Sequence, residues 1–309
     1  LDIKDVVIIG AGPAGIATAI QLKHYNIESI LLEQAEIGGL LRNANLVENY
    51  PGFPKGISGL ELVRLFKKHL KNTGVKVCFE RVLELEYRDN LFFTKTNNRM
   101  ITSTVVVIAT GTKPKKISTL HISDEIKGRI FYEIYPILGT MNKKIAIIGA
   151  GDAAFDYALN LSRNNEVIIL NRRKEVNCIS VLMERCIKSK NISYLSNVSV
   201  SEINKADSKT MLTLIHRESQ TSIIEWKSKN FLKENQIYTD YVVIAIGREP
   251  CIDFFGSNLK KHLDNLLNTD KLYLIGDIKN EIFRQSAICV GNGIKAGMKI
   301  FRNIGRERL

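Results

Sequence analysis

Two glycine fingerprints of one type, GAGPAG at Gly10–Gly15 and GAGDAA at Gly149–Ala154, constrain this chain more than any other feature. Each follows a short apolar run, VVIIG after Asp5 and IAIIG after Lys144, and each opens a stretch with helical spacing. The order strand, tight turn, helix is the unit in which a dinucleotide pyrophosphate rests on a helix N-terminus. Its first glycine permits the turn and its second lets the backbone approach the phosphates. A single fingerprint is equally well read as a glycine turn that packs a helix on a sheet, but two in matched settings point to two bound dinucleotides.

The ribose ends of the two units carry opposite charge. After the first helix the strand SILLE ends at Glu33, whose carboxylate can accept hydrogen bonds from both hydroxyls of an adenosine ribose and disfavours a 2′-phosphate there. The matching strand of the second unit, VIILNRR, ends in Asn171, Arg172 and Arg173, and Arg172 lies as far past Gly149 as Glu33 lies past Gly10. Two guanidinium groups suit a 2′-phosphate. The first site is therefore expected to take FAD and the second NADPH, with NADH as the alternative nucleotide. Because Lys174 adjoins the two arginines, a solvated basic turn is the competing reading of that stretch.

A chain of 309 residues with 45% hydrophobic and 25% charged residues has the length and balance of about two soluble domains. No apolar run reaches the ~20 residues that cross a bilayer, and the N-terminus enters a strand within a few residues, so no membrane partner and a cytoplasmic enzyme are expected. The five cysteines (Cys78, Cys178, Cys186, Cys251 and Cys289) show neither metal-ligand spacing nor a disulfide framework, and no metal site is expected. A formal net charge of +12 favours acidic partners if it gathers on one face. No nucleic-acid motif accompanies it.

Along the chain, the first unit continues through a helix at Pro13–His24, the strand Ser29–Glu33 and an irregular glycine- and proline-bearing segment, IGGLLRNANLVENYPGFP. A helix over Gly59–Asn72 follows, with Leu60, Val63, Phe66 and Leu70 on one face, and then strands at Val75–Phe79, Val82–Tyr87 and Leu91–Thr94. TVVVIATG at Thr104–Gly111 and YVVIAIG at Tyr241–Gly247 read as equivalent buried strands that leave two similar domains. A last strand, Lys271–Asp277, leads into a glycine-bearing helix. The fold expected is α/β, with two Rossmann-like dinucleotide-binding domains, the second inserted into the first. Residues 1–113 and 243–309 would form the FAD-binding domain and residues 114–242 the NAD(P)H-binding domain.

Both fingerprints, ATG, VENYPGFP, AIG, GD and the RQSA run at Arg284–Ala287, in that order, resemble the low-molecular-weight thioredoxin reductase family over nearly the whole length. The wider architecture is similar to that of ferredoxin–NADP reductases of the thioredoxin-reductase type. The resemblance implies that Gly10, Gly12, Pro13, Ala14, Gly15, Glu33, Gly38, Gly39, Asn49, Gly111, Asp277, Arg284, Gln285 and Ala287 lie about FAD. It places Gly149, Gly151 and Ala154 on the pyrophosphate of NADPH, with Arg172 and Arg173 on its 2′-phosphate. It further implies a homodimer. The family's basic stretch commonly reads HRRxxxR, whereas this chain reads NRRKEVN.

One departure bears directly on function. Thioredoxin reductases of this family carry a CxxC just ahead of the second fingerprint, but this chain has FYEIYPILGTMNKK there, with Tyr132, Glu133, Ile134 and Tyr135 in the place of that motif. Thiol–disulfide exchange needs an attacking thiolate and a resolving sulfur, which neither Tyr nor Glu supplies. Cys178 and Cys186 are the nearest pair in sequence but follow the basic stretch. The leading expectation is an FAD-dependent NAD(P)H oxidoreductase that exchanges electrons with an external, acidic carrier such as ferredoxin, with no catalytic side chain needed for hydride transfer. Tyr132 and Tyr135 would pack near the flavin, line the carrier's approach or simply fill space. GDAAFDYAL favours the ferredoxin branch. VENYPGFP, FRQSA and a chain ending at Arg308 and Leu309 favour the thioredoxin reductase branch. The alternatives are a reductase of an external disulfide and a catalytically silent nucleotide sensor.

Overall fold

A computed structural model describes residues 3–117, 119–216, 232–233 and 235–307. Arg308 and Leu309 lie outside the described residues. The chain forms two compact units, one of Leu1–Arg42, Val47–Lys113 and Glu249–Leu309, the other of Asn43–Leu46 and Pro114–Arg248.

The first unit opens with β1 (Ile3–Ile9), α1 (Pro13–His24) and β2 (Ser29–Glu33), followed by α2 (Gly59–Thr73), β3 (Val77–Phe79), β4 (Val82–Arg88), β5 (Leu91–Thr96) and β6 (Met100–Ile108). β1 lies between β2 and β6, parallel to both. Its residues Val6–Ile9 are buried on both faces of the sheet, so they read as an unbroken apolar run rather than an alternation. α2 starts where Ser58 Oγ accepts the Glu61 amide and stops at Gly74 in the left-handed conformation, φ 72°. Its covered face is Leu62, Val63 and Leu70 with Phe66 half-buried. Leu60, expected on that face, is exposed because it sits about 100° around the helix from the centre of the stripe.

β7 (Thr112–Pro114) carries the chain into the second unit, which contains β8 (His121–Ile122), β9 (Ile130–Phe131), β10 (Lys144–Ile148), α3 (Asp152–Leu161), β11 (Glu166–Leu170), α4 (Ser180–Lys188) and β12 (Ile192–Leu195). β13 (Val198–Ala206), β14 (Lys209–His216), β15 (Leu232–Lys233), β16 (Gln236–Thr239) and β17 (Tyr241–Ile244) complete it. A parallel sheet runs in the order β12-β11-β10-β17-β9, and a second sheet runs β15-β16-β14-β13-β8. Successive residues of β10 serve two cores. Ile145 and Ile147 pack with Ala154, Phe155 and Ala158 of α3, while Ala146 and Ile148 pack with Ile203 and Leu212 of the second sheet.

β18 (Arg248–Pro250), paired with β7, returns the chain to the first unit, where α5 (Ser257–Asn268), β19 (Leu272–Leu274) beside β6, and α6 (Ser286–Glu307) finish the fold. The second crossing therefore falls after Arg248 and not at residue 243. Val242–Ile244 belong to β17, in parallel register with Ala146–Ile148, and a boundary there would cut the parallel sheet of the second unit. The expected strand at Lys271–Asp277 is shorter because Gly276 turns with φ 71°. No helix among the described residues is long and apolar enough to cross a bilayer.

Candidate functional site

In the first unit the fingerprint glycines divide the work. Gly10 turns with φ 105°, and a Cβ there would stand 2.5 Å from the Ala109 carbonyl oxygen. At Gly15 a Cβ would fall 1.9 Å from the Gly10 carbonyl oxygen. Both positions are closed by packing. A Cβ on Gly12, by contrast, would meet nothing within 4 Å. Gly12 is the N-cap of α1 with no side-chain cap; Pro13 is in the first turn, which holds no acidic residue, and Ala14 is buried. First-turn amides so arranged form a cradle for an anionic pyrophosphate.

Other expected residues converge on that turn. The Gly38 amide donates to the Ala11 carbonyl at 2.8 Å, and a Cβ on Gly39 would lie 3.4 Å from Gly12 Cα. A Cβ on Gly276 would lie 2.9 Å from Ala14 Cβ, which brings Asp277 beside the same helix start. Glu33 Oε2 accepts the Ala11 amide at 2.9 Å and Oε1 the Ala35 amide at 3.0 Å. The backbone thus aims the carboxylate, and each oxygen keeps a lone pair for a ribose hydroxyl. Asn49 Nδ2 donates to Gln285 Oε1 at 3.0 Å, joining the VENYPGFP and RQSA segments. Arg284 is half-buried on the loop before α6, and Ala287 is in the first turn of that helix. Gly111, φ 63°, holds the Cys251 amide through its carbonyl at 3.2 Å. Cys289 is buried in the apolar core beside this turn. Its thiol donates to Asp277 Oδ1 at 3.1 Å, and burial together with the Asp277 charge pushes its pKa up.

The second fingerprint repeats the turn with a difference. Gly149 has φ 123°, and a Cβ there would stand 2.2 Å from the Ala245 carbonyl oxygen. Ala154 is fully buried, and its amide donates to the Gly151 carbonyl at 2.9 Å. Gly151 caps α3 without a side-chain bond, but a Cβ on it would lie 3.7 Å from the Asn177 carbonyl oxygen. Asp152 Oδ1 accepts the Ile179 amide at 2.9 Å. The segment after the basic stretch therefore runs alongside this helix start, a contact that spacing alone did not reveal.

Arg172 and Arg173 are exposed at the end of β11. Asn171, in contrast, is buried, and its Nδ2 donates to the Glu175 carbonyl and the Tyr194 hydroxyl, each at 2.9 Å. Its Oδ1 accepts the Arg173 amide at 3.1 Å.

At the position of the missing CxxC, Ile134 is fully buried against α3, and Tyr132 packs half-buried on the core between the two sheets. Glu133 pairs with Arg248 at 3.2 Å. The Tyr135 amide donates to Asn43 Oδ1 at 2.9 Å. Burial pushes the Cys178 thiol up to about 11 and the Cys186 thiol up to about 12, so both are protonated at neutral pH. All five cysteines are free. No cluster of metal-ligating side chains occurs among the described residues.

With this geometry in place, comparisons with known proteins agree on one family. The family model "Pyridine nucleotide-disulphide oxidoreductase" matches residues 4–293. The thioredoxin reductase of Borreliella burgdorferi is 28% identical over 96% of this chain and 91% of its own length, and that of Bacillus subtilis is 27% identical over 96% and 94%. Among solved structures, the T. acidophilum thioredoxin reductase superposes with a TM-score of 0.80 at 27% identity, covering 97% of this chain and 98% of that one. A bacillithiol disulfide reductase from Staphylococcus aureus shares the fold, with a TM-score of 0.71 at 17% identity over 100% of both chains.

Proposed function

Because the chain belongs to the pyridine nucleotide-disulphide oxidoreductase family, we propose that it is an FAD-dependent NADPH oxidoreductase that delivers electrons directly to an external carrier, without an internal disulfide relay. The observation that carries this reading is the pairing of two glycine-built cradles of opposite ribose-end charge with a chain that has no CxxC. FAD and NADPH are the cofactors of the thioredoxin reductase family, and the residues present fit them. In this reading the first unit holds FAD, with the α1 amides on its pyrophosphate and Glu33 on its ribose. The second unit holds NADPH, with Arg172 and Arg173 on the 2′-phosphate.

FAD, when bound, supplies an acceptor for the nicotinamide hydride. A hydride carries its electron pair and its nucleus together, so no side chain has to move a proton in that transfer. What the chain contributes is binding and orientation. Arg172 and Arg173 select the nucleotide, the first-turn amides hold the phosphates, and Glu33 fixes the adenosine end. For a one-electron carrier such as ferredoxin the balance is NADPH plus two oxidised carriers giving NADP⁺, two reduced carriers and one proton. A net charge of +12 suits an acidic carrier. A homodimer belongs to the same reading: Ile294, Met298 and Phe301, spaced i, i+4 and i+7 on α6, present one apolar exposed face.

Anaerobic addition of NADPH to the purified yellow protein is expected to bleach the flavin absorbance, NADH doing so more weakly, and ferredoxin is expected to restore it. Restoration by a low-molecular-weight disulfide instead would assign the external-disulfide activity. A protein that binds FAD but is not bleached by either nucleotide would be a sensor, and the proposed function would be wrong.

A further inference from the structure

We propose that Asn171 is a positioning residue for nucleotide selectivity, holding the two arginines in the geometry that a 2′-phosphate requires; this rests on the NADPH reading of the second unit. An arginine pair on a free loop would lose much of its binding energy to ordering the backbone and the side chains when ligand arrives. Here the ordering is already done. Asn171 follows β11, its amide donates to the Leu195 carbonyl at 2.8 Å, and its carbonyl accepts the Val198 amide at 3.0 Å. The strand end is therefore fixed before the loop begins.

Within the loop, the side chain of Asn171 spans the base. Nδ2 holds the Glu175 carbonyl and Oδ1 the Arg173 amide, so residues 171–175 close on one side chain. The second Nδ2 bond, to the Tyr194 hydroxyl, anchors that side chain to a fully buried ring that packs against Phe155 with centroids 6.1 Å apart. From the other side the Asn197 amide donates to the Arg173 carbonyl at 3.2 Å, and Asn197 itself adopts the left-handed conformation at φ 57°. Backbone is held at Asn171, Arg173 and Glu175, leaving the guanidinium groups exposed above a fixed base. No other residue of the loop bonds both of its arms through one side chain among the described contacts, and a buried amide with all these partners has no reason to reach the ligand itself.

The test measures binding of 2′,5′-ADP and 5′-AMP, two fragments that differ only in the 2′-phosphate, to the FAD-loaded full chain. Wild type is expected to prefer 2′,5′-ADP. Asn171→Ala is expected to weaken 2′,5′-ADP by about tenfold while leaving 5′-AMP within about twofold, and Tyr194→Phe, which keeps the ring, should shift the ratio the same way by less. In an Arg172→Ala, Arg173→Ala background, adding Asn171→Ala should change the ratio no further, since Asn171 acts through those arginines. Equal weakening of both fragments, or unchanged selectivity in Asn171→Ala and Tyr194→Phe, would overturn the inference while leaving NADPH use intact. A wild type that does not prefer 2′,5′-ADP would overturn the NADPH reading and the inference with it.

Discussion

At the scale of single residues, Asp156 shows how a carboxyl on a helix can become a pH sensor of stability. It lies on α3, Oδ2 accepts the Asn45 amide at 2.9 Å, and burial pushes its pKa up to about 6. The amides of Asn45 and Leu46 and the charges of Arg163 and Arg185 pull the other way without cancelling the burial. With the folded value above the ordinary one of 3.8, the folded chain holds the proton more tightly. The stabilisation is full below about pH 4 and is lost as pH rises through about 6, a change on the order of 3 kcal/mol. Asp156→Asn should therefore gain melting temperature relative to wild type between pH 4 and pH 7, and parallel curves for the two proteins would refute this. Nothing in GDAAFDYAL marks Asp156 as special, because the amides that meet its carboxylate, those of Asn45 and Leu46, come from a distant segment. Glu33 and the arginines stand out in the sequence because the expectation placed on them rests on their distance along the chain from a glycine.

At the scale of elements, α1 and α6 meet through glycines. A Cβ at Gly293 would stand 2.3 Å from the Ala14 carbonyl oxygen, and one at Gly297 would stand 2.8 Å from Gln21 Cγ. Thr18 Oγ1 donates to the Ala14 carbonyl at 2.9 Å and to the Gly293 carbonyl at 3.2 Å, which ties the helices together where they come closest. Gly293→Ala must push α6 away from the helix whose N-terminus forms the first cradle. A loss of about 1–3 kcal/mol is expected, read as a lower thermal midpoint accompanied by weaker FAD retention. An unchanged midpoint and full flavin content would show that the helices separate at little cost. The helices themselves were evident from apolar spacing and from Pro13. Their close approach was not, since a glycine in a helix pattern does not say which neighbour requires it.

At the scale of the whole molecule, 44 Lys and Arg against 32 Asp and Glu give the +12 charge, a long-range field that salt screens over about 8 Å at physiological ionic strength. The rate of electron delivery to an acidic carrier should fall severalfold as salt rises from low to physiological levels, while delivery to a neutral small acceptor stays constant. Equal salt responses for the two acceptors would count against steering. The sequence by itself determined what is covalent or periodic: two strand–turn–helix units, a carboxylate ending the second strand of one and two guanidinium groups following the matching strand of the other, and no paired thiols ahead of the second fingerprint. Only the tertiary structure decided that Asn43–Leu46 joins the second unit, that the strand through residue 244 stays with it, that Asn49 meets Gln285, and that Asn171 is an internal staple. The physical reason is one of range. Periodicity and spacing report how a residue relates to its own element, whereas burial and hydrogen-bond partners are supplied by segments far away in sequence, which appear only once the chain has packed.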